Sequence, residues 1–81
     1  MTADQGSIRL SELRVGQRAR VLRIDARDEI GQRILEMGLI PGTEVELAGT
    51  APLGDPLEFV LRGYHLSLRR IEAARVEVQR L

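Results

Sequence analysis

Apolar positions recur at every second residue over much of the chain, the period of strands with one buried face. Thr43-Glu44-Val45-Glu46-Leu47 alternates cleanly, which turns Val45 and Leu47 inward. Leu57, Phe59 and Leu61 alternate with Glu58, Val60 and Arg62. Leu66 and Leu68 supply the inward face of the next strand, and Val76 with Val78 a closing one. Between Gln17 and Ile24 the phase changes: Ala19 and Val21 share one parity, Leu22 and Ile24 the other. A β-bulge produces such a one-residue slip, and a strand buried on both faces near its middle is the competing explanation.

The helical period occurs once with strength, between the first two of these strands. Ile30, Ile34 and Met37 fall at i, i+4 and i+7 and make one apolar stripe, with Glu29 and Arg33 placed to pair on the outer face. Asp25 or Asp28 can accept from the free N–H groups at the helix start. Gly31 inside the helix costs about 1 kcal/mol against alanine, and leaves room for a close backbone neighbour. Gly38 stands where a helix end needs a residue at positive φ, and Pro41-Gly42 has the order of a type II turn. Leu39 and Ile40, between these two stops, are expected to be pinned against whatever the helix packs on.

The remaining segments connect. Ile8, Leu10 and Leu13 are the apolar positions ahead of the first long strand, with Leu10 and Leu13 as core plugs, and Ser11 is placed to cap a single turn ending at Gly16. Gly49 to Gly54 forms a loop carrying Pro52, Asp55-Pro56 restarts the chain in extended form, and Gly63-Tyr64 is a short connection. Arg69 to Ala74 can make one helical turn. Five short strands, one helix after the first and a helical turn before the last predict a mainly β fold, a small half-open barrel of the SH3-like kind. Residues 7–81 are expected to be a single domain behind a polar, frayed start at residues 1–6.

Composition narrows the function classes. The chain is 43% hydrophobic but 2% aromatic, so aliphatic side chains must fill the core. Twelve acidic residues balance twelve basic ones, all arginine, and this zero net charge argues against a general nucleic-acid binder. There is no cysteine for disulfides or thiolate metal sites. No apolar run approaches the roughly 18 to 20 residues of a membrane span, and no signal-peptide pattern opens the chain. A cytoplasmic protein without direct membrane insertion is expected.

Catalytic groups are sparse. His65, the only histidine, alternates outward between Tyr64 and Leu66 and reads as a solvated strand residue. Met37 beside Glu36 lies on the apolar stripe, and Glu44 with Glu46 reads as a solvated strand face. No cluster has zinc spacing and no glycine-rich loop leads a helix as phosphate sites require, so neither an enzyme nor a bound cofactor or metal is expected. Binding suits the chain better. In the loop Ala51-Pro52-Leu53-Gly54-Asp55-Pro56 the apolar Leu53 is held among shape-fixing residues, so Leu53, Gly54 and Asp55 are the candidate contact residues, with Leu39 and Ile40 a second patch. Gly38, Pro41, Gly42 and Gly63 are assigned to caps and turns.

Leu10-Ser11-Glu12-Leu13-Arg14-Val15-Gly16 resembles the L-x-x-L-x-x-G opening of the FeoA family, ferrous iron transport protein A. Residues 33–42, Arg-Ile-Leu-Glu-Met-Gly-Leu-Ile-Pro-Gly, are similar to that family's R-L-x-x-[LM]-G-[LI]-x-P-G signature, with Ile34 where leucine is usual. The loop 51–56 resembles its A-P-x-G-D-P, Arg62 to Arg69 its R-G-x-x-L-x-L-R, and Glu72, Ala73, Val76 and Val78 its closing segment. The resemblance implies an SH3-like barrel and an accessory protein of bacterial ferrous iron uptake. Its implied partner is FeoB, a membrane transporter with a cytoplasmic GTPase domain, and it would bring the chain to the inner membrane peripherally. The same barrel closes iron-dependent repressors of the DtxR type, whose helix-turn-helix and metal domains this chain has no room for. The family lends no catalytic residues. Other readings are an SH3-like module for another protein or a nucleic acid, and a weak divalent-metal binder using carboxylates with His65. Self-association through an unclosed sheet edge is left open, as is the oligomeric state.

Overall fold

In the computed structural model, which describes residues 7–81, alternation becomes a six-stranded antiparallel sheet. The strands are β1 (Ser7–Arg9), β2 (Arg18–Ile24), β3 (Glu44–Thr50), β4 (Leu57–Leu61), β5 (Tyr64–Leu68) and β6 (Val76–Arg80). Their order across the sheet is β1-β6-β2-β3-β4-β5. Inward side chains from both ends of this order, Val78 at one and Phe59 and Leu68 at the other, share a single core with Ala19, Val21, Val45 and Leu47. A flat sheet cannot bring them together, so the sheet curls into an unclosed, barrel-like SH3 form. The expected frayed start at residues 1–6 lies outside the described residues.

The strand beyond the expected five is β1, whose three residues are too few to show alternation. It pairs with β6 at the sheet edge, Ile8 opposite Val78. The phase slip in β2 is a bulge: Val21 faces Val78 and Arg23 faces Glu77, which leaves Leu22 as the extra residue. A second bulge at Ala48 bends β3 against β4. Two bulges bend the strands that a small barrel needs bent.

Helix α1 (Glu29–Glu36) is capped by Asp28, whose Oδ1 accepts from the Gly31 N–H at 3.0 Å; Asp25 takes no part in the cap. Ile34 is fully buried and Met37 half-buried, but Ile30 is 39% exposed, a correction to the expected stripe. Gly31 takes its place at the interface: a Cβ there would run into the Asp25 carbonyl oxygen and the Ala26 Cα. The Glu29–Arg33 pair does not close; the helix is tied instead by Arg75, whose Nη1 donates to Asp28 Oδ1 at 2.5 Å.

At the helix C-terminus Gly38 has φ 109°, the Leu39 N–H donates to the Ile34 carbonyl at 3.4 Å and the Gly38 N–H to the Leu35 carbonyl at 3.0 Å. These are the paired bonds of a Schellman motif, and Ile34 and Leu39 meet in the core beneath them. The Pro41-Gly42 turn follows, closed by the Thr43 N–H on the Ile40 carbonyl at 3.1 Å with Gly42 at φ 94°. Arg62 (φ 51°) and Gly63 (φ 84°) make the two-residue type I′ turn of the β4–β5 hairpin, so Tyr64 opens β5.

Two short turns pack at the barrel's end: a 3₁₀ turn (Leu10–Glu12) and α2 (Arg70–Ala73). Each opens the same way. Glu12 accepts from the Arg9 N–H and Glu72 from the Arg69 N–H, both at 2.8 Å. Ser11, expected as the cap, does not make one; the carboxylate three residues into each segment satisfies the free donor.

Candidate functional site

The loop between β3 and β4, residues 51–56, is closed on itself. The Ala51 N–H donates to the Pro56 carbonyl at 3.0 Å and the Gly54 N–H to the Ala51 carbonyl at 2.8 Å, with Gly54 at φ 88°. Arg70, the first residue of α2, then fastens it from outside. Its backbone N–H donates to Asp55 Oδ1 at 3.0 Å, its Nε to the Gly54 carbonyl at 2.7 Å, and its Nη1 to the Ser11 carbonyl at 3.2 Å. One guanidinium thus joins the loop, α2 and the 3₁₀ turn. Leu53 stands at the tip, 97% exposed, and Ile71, next to the anchoring arginine, is 75% exposed.

Of the three loop candidates, Leu53 is the one whose side chain stands almost wholly in solvent. Gly54 and Asp55 spend a carbonyl and a carboxylate on Arg70, so they hold the loop that displays it. Leu39 is corrected: it is fully buried and packs the core, so its side chain has no surface to offer. Ile40 is 41% exposed, against the expectation of burial. Ile40 and Leu53 do not form one patch. They lie beyond opposite ends of β3, whose seven residues span roughly 20 Å at the strand rise. Sequence reasoning missed Arg70 and Ile71. The repeated Arg-x-x-Glu at residues 9–12 and 69–72 signals where the two turns begin, but nothing in the sequence shows that Arg70 reaches across to residue 54.

A second charged region surrounds the start of α1. Arg27 donates to both Asp25 oxygens, at 2.9 and 3.1 Å, and these bonds hold the Asp25 carboxyl down at about 2. Hydrogen bonds from Arg75 and from the Gly31 N–H lower Asp28 in the same way, and Arg27 and Arg75 are raised by their partners. An open cleft of about 400 Å³ beside them is lined by Arg9, Arg23, Asp25, Arg27, Arg75 and Glu77, and Arg23 pairs there with Glu77 at 3.0 Å. Arg27 is paired with Asp25 and Arg75 with Asp28, while the Arg9 guanidinium donates to the Ala74 carbonyl at 2.8 Å. His65 is exposed on β5 opposite Val60. Among the described residues no three histidine, aspartate or glutamate side chains gather to hold a metal ion, and no helix is long and apolar enough to cross a membrane.

The profile of the FeoA domain matches residues 8–80. The chain belongs to the FeoA family. A FeoA-like protein from Clostridium acetobutylicum superposes with a TM-score of 0.87 at 38% identity, over 100% of this chain and 91% of that one. FeoA from Stenotrophomonas maltophilia, solved in complex with zinc and described as a procaryotic SH3 domain protein, gives 0.79 at 34% identity over 89% of each chain. A Porphyromonas gingivalis protein, an Fe(2+) transport protein A/Fe(2+) transporter FeoB fusion, is 42% identical over 72 residues. That match takes in 89% of this FeoA chain but only 8% of the fusion protein's length.

Proposed function

We propose that this FeoA chain is a cytoplasmic accessory module of ferrous iron uptake that docks on the FeoB transporter and modulates transport, with no catalysis of its own. The observation that carries the reading is the Porphyromonas relative, in which a FeoA segment and FeoB share one polypeptide. A covalent link holds a module near its target at high effective concentration. Docking itself needs a contact surface. The 51–56 loop supplies one: it is fixed before binding, which spares the entropy of ordering it, and it presents a large apolar side chain in full. Ile40 supplies a second, smaller contact at the far end of β3.

The test is binding of the purified chain to detergent-solubilised FeoB from the same organism, with and without a GTP analogue. Saturable binding that Leu53→Asp weakens at least about tenfold supports both the partner and the loop. Binding unchanged by Leu53→Asp sinks the loop, and no binding by folded protein sinks the partner.

The zinc in the Stenotrophomonas structure favours a second reading, weak binding of a divalent transition metal by His65 with carboxylates on the same sheet face, such as Glu58. Calorimetric titration with ferrous iron and with zinc decides it. A flat trace, or heat that His65→Ala leaves unchanged, disposes of the idea.

A further inference from the structure

The sheet does not close, and β5 ends it on the side away from β1. β5 pairs with β4 alone, and among the described residues no backbone group outside β4 hydrogen-bonds to it. Which of its groups are free follows from the hairpin. A two-residue type I′ turn makes the closing pair Leu61–Tyr64 a hydrogen-bonded one, and in an antiparallel ladder bonded and non-bonded pairs alternate. Tyr64, Leu66 and Leu68 therefore bond to β4. The N–H and C=O groups of His65 and Ser67 point off the sheet edge.

Proteins guard such edges with charge, proline, bulges or extreme shortness. The β1 edge is short, at three residues, and carries Arg9. β5 has none of these devices: Tyr64-His65-Leu66-Ser67-Leu68 contains no charged residue in a chain that is 30% charged, no proline, and no bulge against β4. His65 and Ser67 are both exposed.

We propose that β5 is a self-association edge, on which a second copy of this chain pairs its own β5 antiparallel about a two-fold axis at Leu66. That register sets His65 against Ser67 of the second copy and Ser67 against its His65, so the outward N–H and C=O groups face one another and form two bonded pairs. No like charges meet within the paired strands. The flanking Arg62 falls opposite Arg70 of the second copy, but both guanidiniums are drawn off the edge, Arg62 to the Thr43 hydroxyl and Arg70 to the Gly54 and Ser11 carbonyls. The same parity puts Tyr64 against Leu68 and Leu66 against Leu66 on the inner face. This inference is independent of the transporter reading.

Sedimentation equilibrium on the full chain tests it. The mass is expected to rise from 9.0 kDa towards twice that value as concentration enters the millimolar range. Ser67→Pro removes an outward N–H that β4 does not use, a change edge strands tolerate, and should raise the dissociation constant at least about tenfold. Should that variant fail to fold, exposed substitutions decide. His65→Lys with Ser67→Lys sets lysine against lysine in both pairs and should leave a monomer. His65→Glu with Ser67→Lys sets opposite charges in both, keeps residue 67 compatible with Glu58 across the β4–β5 pair, and should restore the dimer. A monomer at every concentration overturns the proposal. So does a dimer indifferent to these charge patterns.

Discussion

The Tyr64 hydroxyl donates to the Met37 carbonyl and stands in the space that a side chain on residue 38 would enter. This contact joins the start of β5 to the end of α1, where helix geometry leaves carbonyls without partners. Gly38 is thus required twice, by its φ of 109° and by the hydroxyl beside it. Tyr64 thus ties the end of α1 to the β4–β5 hairpin, as Arg75 ties its start through Asp28.

Gly38→Ala should therefore cost about 2 to 4 kcal/mol, combining a left-handed backbone penalty with overpacking. Tyr64→Phe alone should cost about 1 kcal/mol for the lost hydrogen bond. The two are coupled. With the hydroxyl gone, Gly38→Ala should cost measurably less than it does in the parent, and a double-mutant cycle by urea denaturation reads the difference.

Gly31→Ala reverses a familiar sign. In an exposed helix that change gains about 1 kcal/mol. Here the new methyl meets the backbone of Asp25 and Ala26, which cannot swing aside as a side chain can. A loss of about 1 to 3 kcal/mol is expected, read as a fall in the urea midpoint without a change in slope.

The carboxyls at the head of α1 make stability depend on acid. Asp25 is lowered from 3.8 to about 2 by Arg27, and Asp28 is lowered by Arg75 and the Gly31 N–H. Depressed carboxyls bind fewer protons in the folded chain than in the unfolded one, so their stabilisation is present above about 4 and is lost as pH falls towards about 2. Urea midpoints measured down that range should decline. In Asp28→Asn, which keeps a capping oxygen but no charge, the decline should be shallower. Added salt should weaken the effect in the parent, most at the exposed Arg27–Asp25 pair and less at Asp28, whose partner Arg75 is half-buried.

Alternation made most of this fold legible, because each long strand buries one face and says so at every second residue. β1 was not legible, being too short to alternate. The bulge at Leu22 was visible as a phase slip, yet only the register against β6 separates it from a strand buried on both faces. The stripe through Ile30 misled because α1 meets the barrel along a narrow line, where Gly31 lets backbone touch backbone and leaves Ile30 at the margin. At the candidate site Leu53 stood out as a large apolar residue among turn formers. Leu39 and Ile40 looked equivalent as neighbours, and only the Schellman geometry sends one inward and the other out. The Arg70 clamp joins residues 11, 54, 55 and 70, a juxtaposition set by packing of the two short turns and by nothing local.

That clamp separates presenting a contact from making one. Leu53→Asp alters a side chain that packs on nothing, so stability should stay within about 0.5 kcal/mol while FeoB binding falls. Arg70→Ala removes the bonds to the Gly54 and Ser11 carbonyls and leaves Leu53 intact. The loop should then sample more conformations, with faster amide exchange at Gly54, whose N–H closes the turn onto Ala51. Affinity for FeoB should drop because the entropy of ordering the loop is now spent on binding. Exchange and affinity should move together in Arg70→Ala, whereas in Leu53→Asp affinity alone should move. If Arg70→Ala speeds exchange at Gly54 and leaves binding untouched, the loop is not the docking surface, and Ile40 becomes the residue to test.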